Sequence, residues 1–327
     1  MDYGSIKEYL KQDLEKVNAL MRKSLSSDIA LLDKTNRTVM AHSGKQVRPV
    51  LCLLAARACS GGFVTEDTLL YGSAVELLHN ATLLHDDVAD GSPMRRGVPT
   101  VMSLLGGRAS VLLGDYWLVK GMENILASAN SSSKVIRIFS ATLSDLAEGE
   151  LLQLQKADTG DTMEQDYYKI IYNKTASLFV AAAAAAAISV GASEEKTKAV
   201  RTYARCLGLA FQIKDDIFDY EDNAATGKPA GLDLKERKIT LPLLGALANA
   251  GEDRAKEIRR MVCNIEEHPD YQQEIVSFVK ENGGLEYAEM RLGEYVDNAR
   301  IALRPLGDVR EAGMLSDIAK FTAERKS

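Results

Sequence analysis

The feature that most constrains this chain is the way its long apolar helical runs end. "SAVELLHNATLLHDDVAD" (residues 73–90) places apolar residues such as Val75, Leu78, Leu83 and Val88 on more than one helical face, which predicts a mostly buried helix. It then finishes in three aspartates, Asp86, Asp87 and Asp90, with no lysine or arginine among them. "VRTYARCLGLAFQIKDDIFDY" (200–220) repeats the pattern, ending in Asp215, Asp216 and Asp219. On a helix the first and third aspartate of each set lie four residues apart, on one face and about 6 Å from each other. Like charges at that spacing are unfavourable when exposed and more so when buried, unless something neutralises them. A hard divalent cation is the natural neutraliser. Magnesium fits best, because one or two carboxylates and the phosphates of a substrate commonly hold it. A single D-D-x-x-D is compatible with a solvated helix end, but two of them, each closing an apolar run, point to a shared metal-binding task.

The rest of the chain is equally helical. No series of short alternating strands is visible, and the seven prolines fall mostly at breaks between periodic segments. No repeat of 20–50 residues suggests a solenoid, and no linker divides the 327 residues. The expectation is one all-α domain spanning 1–327, a bundle of roughly ten or more helices. "TASLFVAAAAAAAISVGAS" (175–193) is uncharged and just long enough to cross a membrane, but it is mostly alanine, a strong helix former and a weak hydrophobe. A buried core helix is expected there, and no transmembrane segment. The four cysteines show no C-x-x-C spacing and read as reduced core residues. The charged, amphipathic N-terminus lacks a signal peptide's apolar region, so a cytoplasmic location is expected. A net charge of −6 argues against nucleic acid as a partner and requires any anionic ligand to be held by a local basic cluster or by metal.

Such basic residues sit beside both acidic clusters. Arg95 and Arg96 follow the first in "SPMRRG", and Lys45 and Arg48 precede Pro49 in "SGKQVRP". Lys174 and Thr175 lie in "YNKTAS", and Lys228 and Lys238 lie in and around the glycine-containing loop after the second cluster. His79 is seven residues before Asp86, and Gln212 three before Asp215, so each shares a helical face with its aspartates.

With these motifs together, the sequence resembles the trans-prenyltransferases, the (all-E) isoprenyl diphosphate synthases, over nearly its whole length. "GKQVRP", "LLHDDVADGSPMRRG", "YNKTASLF", "FQIKDDIFDY", "GLDLKERKITLPLL" and the terminal "AKFTAERKS" carry the resemblance. It departs at "LKERKITLP", where the family often has a glycine before the lysine, which leaves Lys238 in register. The resemblance implies an isoprenoid synthase fold, all-α around a deep central cavity. It implies a head-to-tail (1′-4) condensation in which an allylic diphosphate ionises and isopentenyl diphosphate attacks the cation, releasing pyrophosphate. Asp86, Asp90, Asp215 and Asp219 would then hold magnesium, about three ions with substrate bound, with Asp87 and Asp216 supporting the cage. Arg95, Lys174, Thr175, Gln212, Lys228 and Lys238 would bind the allylic diphosphate. Gln212 and Thr175 would also present oxygens to the cation. Lys45, Arg48, His79 and Arg96 would bind isopentenyl diphosphate in a separate, metal-free site. The resemblance also implies a homodimer and a peripheral membrane contact for product release.

Ala81 and Thr82, five and four residues before Asp86, are the first wall a growing chain would meet, about 6–8 Å below the metals at roughly 1.5 Å per residue. Both are small. In the family a bulky aromatic at this level stops growth early, so a long-chain product is expected, octaprenyl-like and suited to quinone side chains. A short-chain farnesyl or geranylgeranyl synthase is the alternative. A class I terpene cyclase would need neither the second D-D-x-x-D nor Lys45 and Arg48, and a non-catalytic subunit would not need to keep all six aspartates.

Overall fold

The structure is a computed structural model and describes residues 1–42, 44–129, 132–221 and 231–325. Among these described residues it is all-α apart from one hairpin. The helices are α1 (Tyr3–Tyr9), α2 (Lys11–Leu25), α3 (Ala30–Ala41), α4 (Val47–Ser60), α5 (Glu66–Ala89), α6 (Val101–Leu105), α7 (Gly107–Leu126), α8 (Ser133–Thr159), α9 (Glu164–Ile171), α10 (Ser177–Ser189), α11 (Glu194–Tyr220), α12 (Leu232–Lys235), α13 (Leu241–Asn249), α14 (Glu252–Cys263), α15 (Tyr271–Glu281), α16 (Gly284–Ala302) and α17 (Arg310–Glu324). The hairpin pairs β1 (Met94–Arg95) with β2 (Val98–Pro99).

The contacts group the chain into two compact units. The first comprises Met1–Ser140, Ala181–Arg201 and Pro305–Leu315. Within it α5 packs against α2, α4 and α7. Its core includes Leu51, Leu53, Tyr71, Val75, Leu78 and Trp117, all essentially inaccessible. Trp117, too polar at its indole N–H to be buried unpaired, donates to Asn36 Oδ1 at 2.8 Å, and Asn36 Nδ2 donates to the Leu25 carbonyl at 2.7 Å. The second unit comprises Ala141–Val180, Thr202–Arg304 and Ser316–Ser327. There α13 packs against α9, α14, α15 and α16, over a core that includes Tyr203, Leu207, Leu241, Leu243, Ile258 and Val279.

The alanine run behaves as its composition predicts. Ala181–Ala187 are all buried in α10. The stretch Glu164–Ser189 is long and apolar enough to cross a membrane by length and composition, and 83% of its most apolar window is buried inside the protein. All four cysteines are free; Cys52, Cys59 and Cys206 are buried, whereas Cys263 is half-buried rather than in the core.

The ends of α5 and α11 matter most for function. Thr65 caps α5, exchanging hydrogen bonds with Thr68, and Glu66 and Asp67 occupy the first turn, where the helix dipole favours negative charge. The other end inverts that logic. α5 and α11 both finish in aspartates, with no basic residue in the last turn of either. Negative charge at a helix C-terminus is unfavourable, so the fold accepts an electrostatic cost at two separate places.

Candidate active site

In the first unit, Asp90 closes α5, its N–H donating to the Asp86 carbonyl at 2.8 Å. The three carboxylates have divided roles. Asp87 is buried and accepts from Arg95 Nε at 2.6 Å, tying the hairpin to the end of α5. Asp86 is half-buried and Asp90 exposed, so these two are accessible to a ligand. Arg95 thus serves Asp87 first, and a diphosphate would be its second partner.

The hairpin turn sets Arg96. Arg96 (φ 52°) and Gly97 (φ 79°) are both left-handed, as a two-residue primed turn requires. Arginine there costs of order 1–3 kcal/mol, a strain that collects at functional sites. Its guanidinium lies so close to Gly44 that a β-carbon at that position would sit 2.5 Å from Cζ, and Nη1 donates to the His42 carbonyl at 3.1 Å. The glycine of "SGKQVRP" thus lets the guanidinium rest against the backbone, and a larger residue there would displace the tip of this flexible side chain. The next loop residue but one, Gln46, is also left-handed (φ 57°) and is held by its Nε2 donating to Asn18 Oδ1 at 2.8 Å. It leads into α4, which carries Arg48.

The structure brings together most of the basic set predicted for isopentenyl diphosphate. His79 has its pKa pushed well below 6.5, by burial and then by the charges of Arg48, Arg96 and Arg95. Glu76 lies buried one turn before it. Burial raises its pKa while Arg48 and Arg96 oppose the rise. Arg48, Arg96 and Arg95 thus bring positive charge to an imidazole whose own charged form is disfavoured. Lys45 is exposed on the same loop, its carbonyl accepting from the Tyr3 hydroxyl at 2.9 Å. A cavity of about 510 Å³ in this unit is lined by Asn80, Leu83, Leu84 and Asp87 of α5, by Arg95 and Arg96, and by apolar residues of α3 and α6. Ala81 and Thr82 do not line it. Ala81 is fully buried, and half-buried Thr82 donates its hydroxyl to the His79 carbonyl at 2.8 Å.

In the second unit, residues Tyr172–Ala176 form a π-helical turn between α9 and α10. Such insertions often mark functional positions, and this one carries Lys174 and Thr175. Two glycines let neighbouring helices approach it. A β-carbon at Gly149 would be 2.7 Å from Asn173 Cβ, and one at Gly208 would be 2.6 Å from Ala176 Cα. From this turn a hydrogen-bonded chain runs to the second cluster. Thr175 Oγ1 donates to Gln212 Oε1 (2.8 Å), Gln212 Nε2 donates to Asp216 Oδ1 (2.9 Å), and the Tyr167 hydroxyl donates to Asp216 Oδ2 (2.6 Å). The Gln212 carbonyl, expected to face the cation, is engaged by Thr175, so the threonine oxygen is the better placed of the two for that task.

Asp216 is buried, and its pKa rises well above the usual carboxylate range through burial and then the charge of Asp233. Asp219 accepts from the N–H groups of Leu232 (2.9 Å) and Asp233 (3.1 Å), so it caps α12 and anchors the loop that carries Lys238. Burial and then Asp233 push its pKa up to about 6. Asp219 was expected to bind metal, and its carboxylate already has this structural task. Asp215 pairs with Arg325 at 2.6 Å. Lys174 pairs with Glu150 at 2.5 Å, and Lys238 pairs with Glu236 and lies 3.7 Å from Asp233. Lys228 lies outside the described residues. Tyr167, Arg325, Asp233 and Glu150 join the second unit's cluster, and Glu76 the first unit's, without having been singled out from sequence. Glu76 in "SAVELLHNATLLHDDVAD", Asp233 in "GLDLKERK" and Arg325 in the terminal "AKFTAERKS" stood in stretches already marked, although none of the three was named.

Does this arrangement suit magnesium? Hard oxygen donors sit on two helix ends whose dipoles call for positive charge. Among the described residues no three carboxylate, imidazole or thiol groups form a ready-made metal cage. Both observations fit an ion that completes its shell with water and substrate diphosphate.

Carboxylate-tipped helices, a separate cluster of cations and an all-α frame define a class of protein that handles diphosphates with the aid of divalent metal. Residues 29–279 match the sequence profile of the polyprenyl synthetases, so the chain belongs to that family and is a prenyltransferase. It is 36% identical over 326 residues to the octaprenyl diphosphate synthase of Escherichia coli K12, covering 99% of both chains. Among solved structures it superimposes on a decaprenyl diphosphate synthase from Rhodobacter capsulatus with a TM-score of 0.91, at 34% identity and covering 99% of this chain and 100% of that one. A polyprenyl synthase from Caulobacter crescentus CB15, complexed with calcium and isoprenyl diphosphate, gives a TM-score of 0.90 at 33% identity, covering 100% and 98% of the two chains.

Proposed function

We propose that this enzyme condenses isopentenyl diphosphate with an allylic diphosphate, head to tail, to give a long-chain all-trans polyprenyl diphosphate and pyrophosphate. The observation that carries the chemistry is the pair of helices, α5 and α11, that end in carboxylates against their own dipoles. Bound there, magnesium would neutralise the departing pyrophosphate, a poor leaving group otherwise. Asp86, Asp90 and Asp215 are the residues to hold it. Arg95, Lys174 and Lys238 would exchange their carboxylate partners for diphosphate oxygens. The Thr175 oxygen would face the allylic cation. Arg48, His79 and Arg96, with Lys45 at the rim, would hold isopentenyl diphosphate without metal. The apolar interior excludes the water that would quench the cation.

The long-chain reading rests on Ala81 and Thr82 and on the long-chain synthases the chain resembles. Ala81→Phe should shorten the product while sparing the first condensation, read by chromatography of the products formed with excess isopentenyl diphosphate. An unchanged distribution, or a wild-type enzyme that stops at short chains, would refute it. The short-chain alternative draws support from one observation: Ala81 has no exposure and lies outside the described cavity. We further propose a homodimer. Leu112, Val119 and Leu126 recur every seven residues on α7 and are 51–59% exposed, an apolar stripe that a second copy would cover. A cytoplasmic location, a peripheral membrane contact for product release and use of the product as a quinone side chain complete the proposal.

A further inference from the structure

We propose that Arg325 is a tethered cation that holds Asp215 until a divalent metal displaces it. Phe211, Asp215 and Phe218 lie at positions i, i+4 and i+7 of α11 and so share a face. Arg325, just beyond α17, covers that face. Its Nη2 is 2.6 Å from Asp215 Oδ1 and donates to the Phe211 carbonyl at 2.9 Å. The guanidinium carbon stands 4.1 Å from the Phe211 ring centroid and 5.3 Å from that of Phe218. The side chain is only 10% exposed, against 42% for Asp215.

Two features make this a replaceable partner rather than a permanent anchor. Arg325 brings a positive charge to a helix end that has no basic residue of its own. Yet its Nε is buried without a hydrogen-bond partner, an unmet desolvation cost that weakens the contact. A metal ion on Asp215 would take the oxygen that Arg325 now faces and would repel the guanidinium. Arg325 lies beyond the last turn of α17 and on no part of α11, so its release needs no rearrangement of α11. Metal affinity in the substrate-free protein is thereby reduced in proportion to the latched fraction, and the diphosphate, which adds its own ligands, tips the exchange. The idea rests on the reading that Asp215 ligates metal.

The test uses full-length protein without diphosphate and Mn²⁺ as the probe, titrated by calorimetry and by electron paramagnetic resonance. Arg325→Gln should tighten the Asp215-dependent site about fivefold, the release expected from an ion pair of about 1 kcal/mol. Arg325→Lys should stay close to wild type. In the wild type, saturating Mn²⁺ should also speed amide exchange at residues 321–325, a readout that does not depend on the variants folding. Equal Mn²⁺ affinity in wild type and Arg325→Gln, with the site still lost in Asp215→Asn, would overturn the latch alone. A site that survives Asp215→Asn would overturn the metal assignment and the latch together. Unchanged exchange at the C-terminus under saturating metal would also refute it.

Discussion

Gly208→Ala is the most informative single substitution the fold offers. Glycine inside a helix is unfavourable by about 1 kcal/mol relative to alanine, so propensity alone predicts stabilisation. The structure predicts the opposite. The new β-carbon would lie 2.6 Å from Ala176 Cα and 2.7 Å from Ala176 Cβ, where ordinary carbon contacts need about 3.5–4.0 Å. The obstacle is main chain, so α11 and the π-helical turn would have to separate by about 1 Å, and overpacking of this kind costs about 1–3 kcal/mol. Subtracting the propensity gain leaves a net loss of up to about 2 kcal/mol. The functional effect should be larger. Ala176 ends the turn that carries Lys174 and Thr175, and a displacement near 1 Å at a reacting centre lowers turnover by about 100-fold. Gly293→Ala, in α16, is the internal control. Nothing lies within 4 Å of the added carbon, so it should stabilise by about 0.5–1 kcal/mol and leave turnover alone. Denaturant melts of both variants and turnover with both substrates test the pair. A Gly208→Ala protein that is more stable than wild type and fully active would refute the reasoning.

Asp86→Ala should lower magnesium-dependent turnover by orders of magnitude while leaving stability equal or higher by a few tenths of a kcal/mol, since it removes repulsion at a helix end; normal turnover would disprove the metal role. His79 gives a pH prediction. Its folded pKa lies well below 6.5, so as pH falls below 6.5 the unfolded chain takes up a proton that the folded protein refuses. Stability from this residue is present above that pH and is lost on acidification, and His79→Gln should flatten the decline in melting temperature between about pH 7 and 5. Identical pH profiles would show that His79 is not held neutral.

Sequence made some of this site legible and hid the rest for physical reasons. The aspartate sets could be read because helical spacing alone puts Asp86 with Asp90 and Asp215 with Asp219 on one face. The alanine run could be read because small side chains serve close packing. The division of labour within each set could not. Asp87 turns to Arg95 and Asp219 to the backbone of Leu232 and Asp233, and both contacts depend on how later segments fold back. Arg325 reaches Asp215 across 110 positions, and although its terminal stretch "AKFTAERKS" belongs to the family resemblance, nothing local announces this partner. The left-handed backbones of Gln46 and Arg96 were equally invisible, because neither residue type favours that conformation.

The aspartates at the ends of α5 and α11 also bear on engineering. A screen for thermostability run on the bare protein would reward substitutions at Asp86 and Asp90, since each replaces a charge at a helix end whose dipole disfavours it. The hardiest variants would then be the inert ones. Selecting for heat resistance with magnesium and pyrophosphate present would reverse that ranking, because the ligands reward the carboxylates that the empty protein merely tolerates.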